Sequence, residues 1–290
     1  GSENFNKERR YGWFPSISGG WVPTQYDWYR NLLPFNNFLK FRASWGRVGN
    51  DRLKDENGND IRFPYLTTLG NVSSTWGTGL AENRTGSMNL KWEVSTKTNF
   101  GIDARFFDDK VDMTVDFFHT KTTDIFQRRA NIPDEGGLSN VLPYANIGSM
   151  KSWGMDGTLA YTHTFNKDMA LTVRGNFTHA ENEVIYWEQS GVNYPYQSNS
   201  GVPYKVQRGL IALGLFKDED DIKSSPKQTF MDNYRPGDIK YKDVNGDGKI
   251  DKDDVVPLNY SAVPFIQYGF ALDWNYKAFR VSILFEGVSK

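Results

Sequence analysis

The chain has 290 residues, no cysteine and a net charge of -1, from 34 basic and 35 acidic residues. That balance points to no nucleic-acid partner, and the missing thiols exclude a disulfide framework and a thiolate metal site. No run of about 18 apolar residues occurs, so no segment reads as a transmembrane helix, although barrel strands escape such a scan because half of each strand is polar.

Apolar and polar residues alternate with a period of two in several stretches, which marks strands because successive side chains of a strand point to opposite faces. The first candidate is 11–21, with Trp13, Ile17 and Trp21 on one side. A short aromatic segment, 24–36, has room for one or two helical turns. Strand 39–48 sets Leu39, Phe41, Ala43 and Trp45 against Lys40, Arg42 and Ser44. Residues 49–90 read as a long polar loop rich in Gly, Asn and Thr. The clearest strand is 92–106, where Phe100, Ile102, Ala104 and Phe106 alternate with Asn99, Asp103 and Arg105. A tight turn at 107–110 leads into 111–119, where Val111, Met113, Val115 and Phe117 oppose Asp112, Thr114 and Asp116. A second long loop is expected at 120–152. Strands 155–165 and 169–180 turn at 166–168, and the longest loop, 181–263, follows. The last hairpin is 265–276 and 279–287, with Ile266, Tyr268, Phe270, Leu272, Trp274 and Tyr276 on one face.

Short turns and long loops thus alternate between about eight strands. Strands near ten residues, tilted about 45°, cross a bilayer core. Trp92, Phe106, Phe165, Trp274 and Tyr276 stand at strand ends, where interfacial aromatic girdles belong. The expected fold class is all-β: an antiparallel segment of a large transmembrane β-barrel with short periplasmic turns and long extracellular loops. Lys97, Asp103, Arg105, Asp112, Asp116 and Arg174 are expected on the lumen side. Residues 1–290 read as one partial barrel, a piece of a longer protein, with Gly1-Ser2 set aside as an appended pair. The alternative is a secreted, calcium-stabilised carbohydrate-binding β module, because sandwich strands also alternate.

The sharpest chemical motif is 243–254. Asp243, Asn245 and Asp247 fall at positions 1, 3 and 5 of a calcium-loop template, with Gly248 at 6 for the sharp turn. Lys249 offers its carbonyl at position 7, Asp251 stands at 9 and Asp254 closes the loop at 12, where a longer Glu is usual. No helical pattern flanks it, so a structural calcium site is expected. Tyr186, Trp187, Tyr194, Tyr196 and Tyr204 are candidates for stacking on a ligand or packing against a partner. The three histidines, His119, His163 and His179, fall near strand ends, and no nucleophile–base set or phosphate loop is present, so no enzyme is expected.

Two further strings, Arg10-Tyr11-Gly12-Trp13-Phe14-Pro15-Ser16 and Tyr234-Arg235-Pro236-Gly237-Asp238-Ile239-Lys240-Tyr241, the second running directly into the 243–254 loop, resemble segments of SusC/RagA-type TonB-dependent outer-membrane transporters of Bacteroidetes. So do Leu39-Lys40-Phe41-Arg42-Ala43-Ser44-Trp45-Gly46, Leu90-Lys91-Trp92-Glu93 and Asn146-Ile147-Gly148-Ser149-Met150-Lys151-Ser152-Trp153-Gly154-Met155-Asp156. In the last, the family often has Asn and Glu where this chain has Ser152 and Asp156. The resemblance implies a whole barrel of about 22 strands around a plugged lumen. It also implies a place in the cell outer membrane, amid its lipid, and uptake driven by the TonB complex through an upstream segment. A SusD-type surface lipoprotein would cap the mouth, and the cargo would be an oligosaccharide (glycan) or a peptide.

Overall fold

The computed structural model describes residues 1–55, 58–75, 77–132, 141–261 and 263–289. Eight strands form one antiparallel sheet: β1 Ser16–Trp21, β2 Asn36–Asn50, β3 Glu93–Phe106, β4 Val111–Arg128, β5 Tyr144–Asn166, β6 Met169–Tyr186, β7 Ile266–Tyr276 and β8 Phe279–Ser289. They lie side by side in chain order, so every connection joins neighbours.

The register sorts side chains into two faces, because residues directly opposite each other share a face. Phe41 opposes Ile102, then Val115, Gly157, Phe177 and Tyr268 follow across the sheet. One step along each strand, Arg42 opposes Gly101, and Asp116, Asp156, Thr178 and Gln267 complete that row. From β2 to β7 the first face is mainly apolar and the second mainly polar, with Phe118 on β4 and Leu284 and Val288 on β8 as apolar exceptions on the second. On β5 the apolar belt runs from Trp153 to Phe165. Those residues, rising about 3.3 Å each and tilted about 40°, stand roughly 30 Å tall, the thickness of a hydrocarbon core.

Nothing described covers the apolar face. The other described sheets are two-stranded, and Phe279 and Phe285 are 72% and 61% exposed. A sandwich buries its apolar faces against a second sheet, so the secreted-module alternative does not describe this fold.

The strands depart from the alternation in instructive ways. β4 and β5 run past the belt, so the connection expected at 120–152 shrinks to 129–143. Above the belt the strand tops pack against loop residues, as Phe126 and Tyr144 do and as buried Gln127 does, so strict alternation is no longer required and the period-two signal fades. A left-handed Asp124 (φ 59) and register shifts nearby scramble it further. β1 starts only at Ser16: Pro15 has no N–H to give to a ladder, and Phe14 instead packs edge-on against Trp92 at 5.2 Å. Within 24–36 a short helix, α1 Asp27–Leu32, forms as the space allows.

The long connections are structured too. Thr68–Ser74 pairs with Gly77–Arg84. Within 181–263, Val206–Gly209 pairs with Val256–Ser261, Ala212–Leu215 with Ile239–Tyr241, and Lys227–Gln228 runs parallel to Lys249–Ile250. Phe5, Leu53, Ile61 and Leu90 make a small buried core at this end, with Trp92, Phe126 and Tyr144 packed against it. That core ties the first residues and the 49–90 connection to the tops of β3, β4 and β5.

Candidate functional site

The polar face carries an ion cluster centred on Arg42. Its Nε and Nη2 donate to Asp103 at 2.8 and 2.9 Å, and Nη1 and Nη2 to Asp116 at 3.0 and 2.9 Å. One guanidinium thus grips two carboxylates with two-pronged geometry. Gly101 lies between them, and a Cβ there would fall 2.6 Å from both Arg42 Cζ and Asp116 Oδ1. The glycine is what lets the arginine cross a strand. Asp156, opposite Asp116, adds a third carboxylate, so with Lys40 opposite Asp103 the carboxylates of this patch outnumber its two cations three to two. Further along the sheet the sign reverses. Asp273 accepts from Ser282 Oγ at 2.5 Å, with Arg174 Nη2 and Arg280 Nη2 at 3.8 and 3.6 Å.

The six residues expected to face the lumen all fall on this face by register. Arg42 and Asp156 were missed as site residues. Alternation places a charge on a face but cannot say which charge stands opposite; Gly101 in the middle of an otherwise filled strand was the available signal.

At the loop end a cavity of about 690 Å³ is lined by Phe126, Arg129, Tyr144, Trp187, Glu188 and Tyr204, among other described residues. Phe126 and Tyr144 stack at 4.6 Å. Glu188 is buried and clasped from three sides. Arg129 Nε donates to both its oxygens at 3.1 and 2.9 Å, the Ala130 N–H donates to Oε2 at 3.0 Å, and Gln127 Nε2 donates to its carbonyl at 2.6 Å. Burial pushes the carboxyl up, but the hydrogen bonds from Arg129, Ala130 and Asn131 together with the Arg129 charge outweigh it and hold Glu188 below the usual carboxylate range.

The candidate aromatics divide. Trp187 and Tyr204 line the cavity, and Tyr186 ends β6 with its side chain exposed. Tyr194 and Tyr196 stack on each other at 5.4 Å and fasten the 243–254 loop. The Tyr196 hydroxyl donates to the Asp253 carbonyl at 2.6 Å, and Asn245 Nδ2 donates to the Tyr194 hydroxyl at 3.2 Å. Those two are braces rather than an open platform.

In that loop the acidic side chains serve the backbone. Asp243 accepts from the Gly246 and Gly248 N–H groups, Asn245 from Asp247 and Asp247 from Lys249. Gly246 and Gly248 take the left-handed conformations (φ 77 and 83) that these turns need. Asp251 accepts from the Asp253 N–H at 2.8 Å. Asp254, wholly buried, accepts from Val244 at 2.7 Å, Asn245 at 3.4 Å and Asp251 at 2.9 Å. Among the described residues no group of three or more His, Asp or Glu side chains gathers as a metal cage. The donor types suit calcium, but Asp254 is committed to the loop's own N–H groups, so the calcium reading rests on spacing alone.

Comparison with known proteins gives consistent matches. The family model described as TonB dependent receptor-like, beta-barrel matches residues 1–283. TonB-dependent receptor P39 of Formosa agariphila is 30% identical over 98% of this chain and 30% of its own length. TonB-dependent receptor SusC of Bacteroides thetaiotaomicron is 25% identical over 88% of this chain and 25% of its own. The RagAB peptide importer in its open-open state superposes with a TM-score of 0.74 at 21% identity, covering 99% of this chain and 29% of that one, a likeness of fold. The chain therefore spans less than a third of each of these three proteins.

Proposed function

The chain belongs to the TonB-dependent receptor β-barrel family, and on that premise we propose that it forms part of the wall of a SusC/RagA-type importer that carries oligosaccharides or peptides across the outer membrane. The family is an outer-membrane family of receptors, and no enzymatic role is proposed. The observation that carries the reading is the two-faced sheet. An exposed apolar face about 30 Å tall suits lipid, and the opposite face holds charges in fixed clusters of both signs, as a water-filled or plugged lumen allows. RagAB, which shares the fold, is a peptide importer, so peptides stand beside oligosaccharides among the proposed cargoes. In the proposal the TonB complex drives uptake through another part of the whole protein, and a SusD-type lipoprotein seats on the loop end.

The test is uptake by cells carrying the full-length receptor, supplied with labelled oligosaccharides and labelled peptides in parallel. Deletion of the receptor, and separately of TonB, is expected to abolish uptake of one class. If neither class depends on both genes, the importer reading is wrong.

Calcium at 243–254 is a separate proposal. It is supported by the oxygen donors at positions 1, 3 and 5 and by the glycine turn, and its test is chelation, taken up below.

A further inference from the structure

Just above the outward apolar belt, one cross-strand row changes chemistry. Arg47 on β2 opposes Thr96, Thr96 opposes Lys121 on β4, Lys121 opposes Lys151 on β5, and Lys151 opposes Glu183 on β6. The row below it reads Trp45, Thr98, His119, Trp153 and Glu181, and the next Ala43, Phe100, Phe117, Met155 and His179. All three rows share the outward face.

Two lysines directly opposite each other repel, and antiparallel sheets avoid the arrangement. Among the described residues one of them, Lys151, is answered by a carboxylate. Lys151 Nζ lies 2.9 Å from Glu183 Oε2 and 5.3 Å from the Trp153 ring centre. Lys121 and Arg47 are exposed, and neither has an ion-pair partner among the described residues. The other ionisable groups on this outward patch are His119, which is exposed, and the His179–Glu181 pair at 3.0 Å. The row therefore presents three cations against one carboxylate.

Its height is as telling as its charge. Lys151 lies two residues beyond Trp153, about 7 Å along the strand and roughly 5 Å above the belt once tilt is included. That is the headgroup layer, which flanks a hydrocarbon core of about 30 Å. We propose that Arg47, Lys121 and Lys151 form a docking row for the phosphates of an anionic lipid, whose acyl chains pack on the Trp45, Phe100, Phe117 and Met155 surface beneath. Charge complementarity selects the phosphate, and continuity with the apolar belt selects a lipid over a free anion or an acidic protein. The inference rests on the membrane-wall reading of the sheet.

The full-length receptor is reconstituted in phosphatidylcholine nanodiscs containing either bisphosphorylated lipid A or its dephosphorylated form. Retained lipid is counted by native mass spectrometry. The wild type is expected to retain the phosphorylated form selectively. Each basic side chain near a membrane surface contributes about fivefold, so Arg47→Gln/Lys121→Gln is expected to weaken retention roughly 25-fold. Lys167→Gln, at the opposite end of the sheet, is expected to change nothing. Heat-modifiable gel mobility confirms that each barrel is folded, and Lys121→Gln alone, expected to lose about fivefold, serves if the double variant does not fold. Equal retention by wild type and variant overturns the proposal, as does equal retention of both lipid forms. Displacement of the lipid by excess inorganic phosphate also overturns it, since the row would then be a free-anion site. A wild-type barrel that fails to insert would instead defeat the membrane-wall reading itself.

Discussion

Val115 in β4 and Glu188 at the loop end sit in environments governed by different solvents. Val115 is flanked by Ile102 and Gly157 and points outward from the wall, with no covering layer described. Glu188 is 6% exposed and held by Arg129, Ala130 and Gln127. The contrast extends to each region. In β8 almost every side chain is exposed, whereas the loop end buries Gln228 and Asp254 at 1% and 0% exposure. The wall is specified by which solvent touches each face. The loop end is specified by polar side chains that satisfy particular backbone groups, because buried N–H and C=O groups need partners wherever they fall. A substitution should therefore act through solvent in one region and through a named hydrogen bond in the other.

The largest effect is expected from reversing a face. Val115→Arg places a charge near the middle of the apolar belt and is expected to destabilise the full-length barrel by about 2–4 kcal/mol. Thr114→Arg, one residue away on the polar face, is expected to cost less than about 1 kcal/mol. Urea titration in lipid vesicles compares the two. Equal costs would mean that the two faces do not meet lipid and water.

Next comes the base of the 243–254 loop. Asp254→Ala strips the acceptors from the Val244, Asn245 and Asp251 N–H groups. Buried donors left unsatisfied cost about 1–3 kcal/mol, shared here within one loop. Protease cleavage within 243–254 is expected to accelerate while the barrel's unfolding is unchanged. Unaltered cleavage would show that Asp254 does not close the loop.

This contrast also explains what could be read from the residues alone. The wall strands were legible because a sheet with one apolar and one polar face imposes a period of two, and the turn at 107–110 was legible from its spacing. The tops of β4 and β5 were not, because above the belt that selection is relaxed. The Arg42 cluster was invisible for a different reason. Arg42 and Asp116 are two strands apart, and only the register that brings Gly101 between them makes them partners. Tyr194 and Tyr196 could not be told from ligand-facing aromatics, since a stacked brace and an open platform both appear as tyrosines in a polar loop. Trp187 and Tyr204, of identical appearance in sequence, do line a cavity.

A smaller, pH-dependent effect belongs to Glu188. Its carboxyl is held below the usual range, so the ionised form is favoured by folding. The stability it supplies is complete above the unfolded value of about 4.3 and is lost as pH falls through the lower folded value. Amide-exchange protection at Ala130, taken relative to the intrinsic rate at each pH, is expected to fall below about pH 4 in wild type. Glu188→Gln is expected to cost about 1–2 kcal/mol at neutral pH, by weakening the bonds to Arg129 and Ala130, and to flatten this acid response. An unchanged acid response in the variant would assign the titration to another group.

The smallest expected effect tests calcium. Position 12 holds Asp254, whose side chain is a methylene shorter than Glu and already engaged with three N–H groups, so any affinity belongs at the weak end of calcium loops, about 0.1–1 mM. At about 1 mM calcium, linkage then supplies only about 0.4–1.4 kcal/mol. Chelation is expected to speed amide exchange within 243–254 by up to about tenfold, and to leave the wall strands untouched because no wall residue contributes a donor. Identical exchange with and without calcium would mean that the Asx turns of Asp243, Asn245 and Asp247, braced by Tyr194 and Tyr196, hold the loop without metal. The same template spacing would then be a solution to folding a glycine-rich turn, with its oxygens turned toward backbone N–H groups in place of a cation.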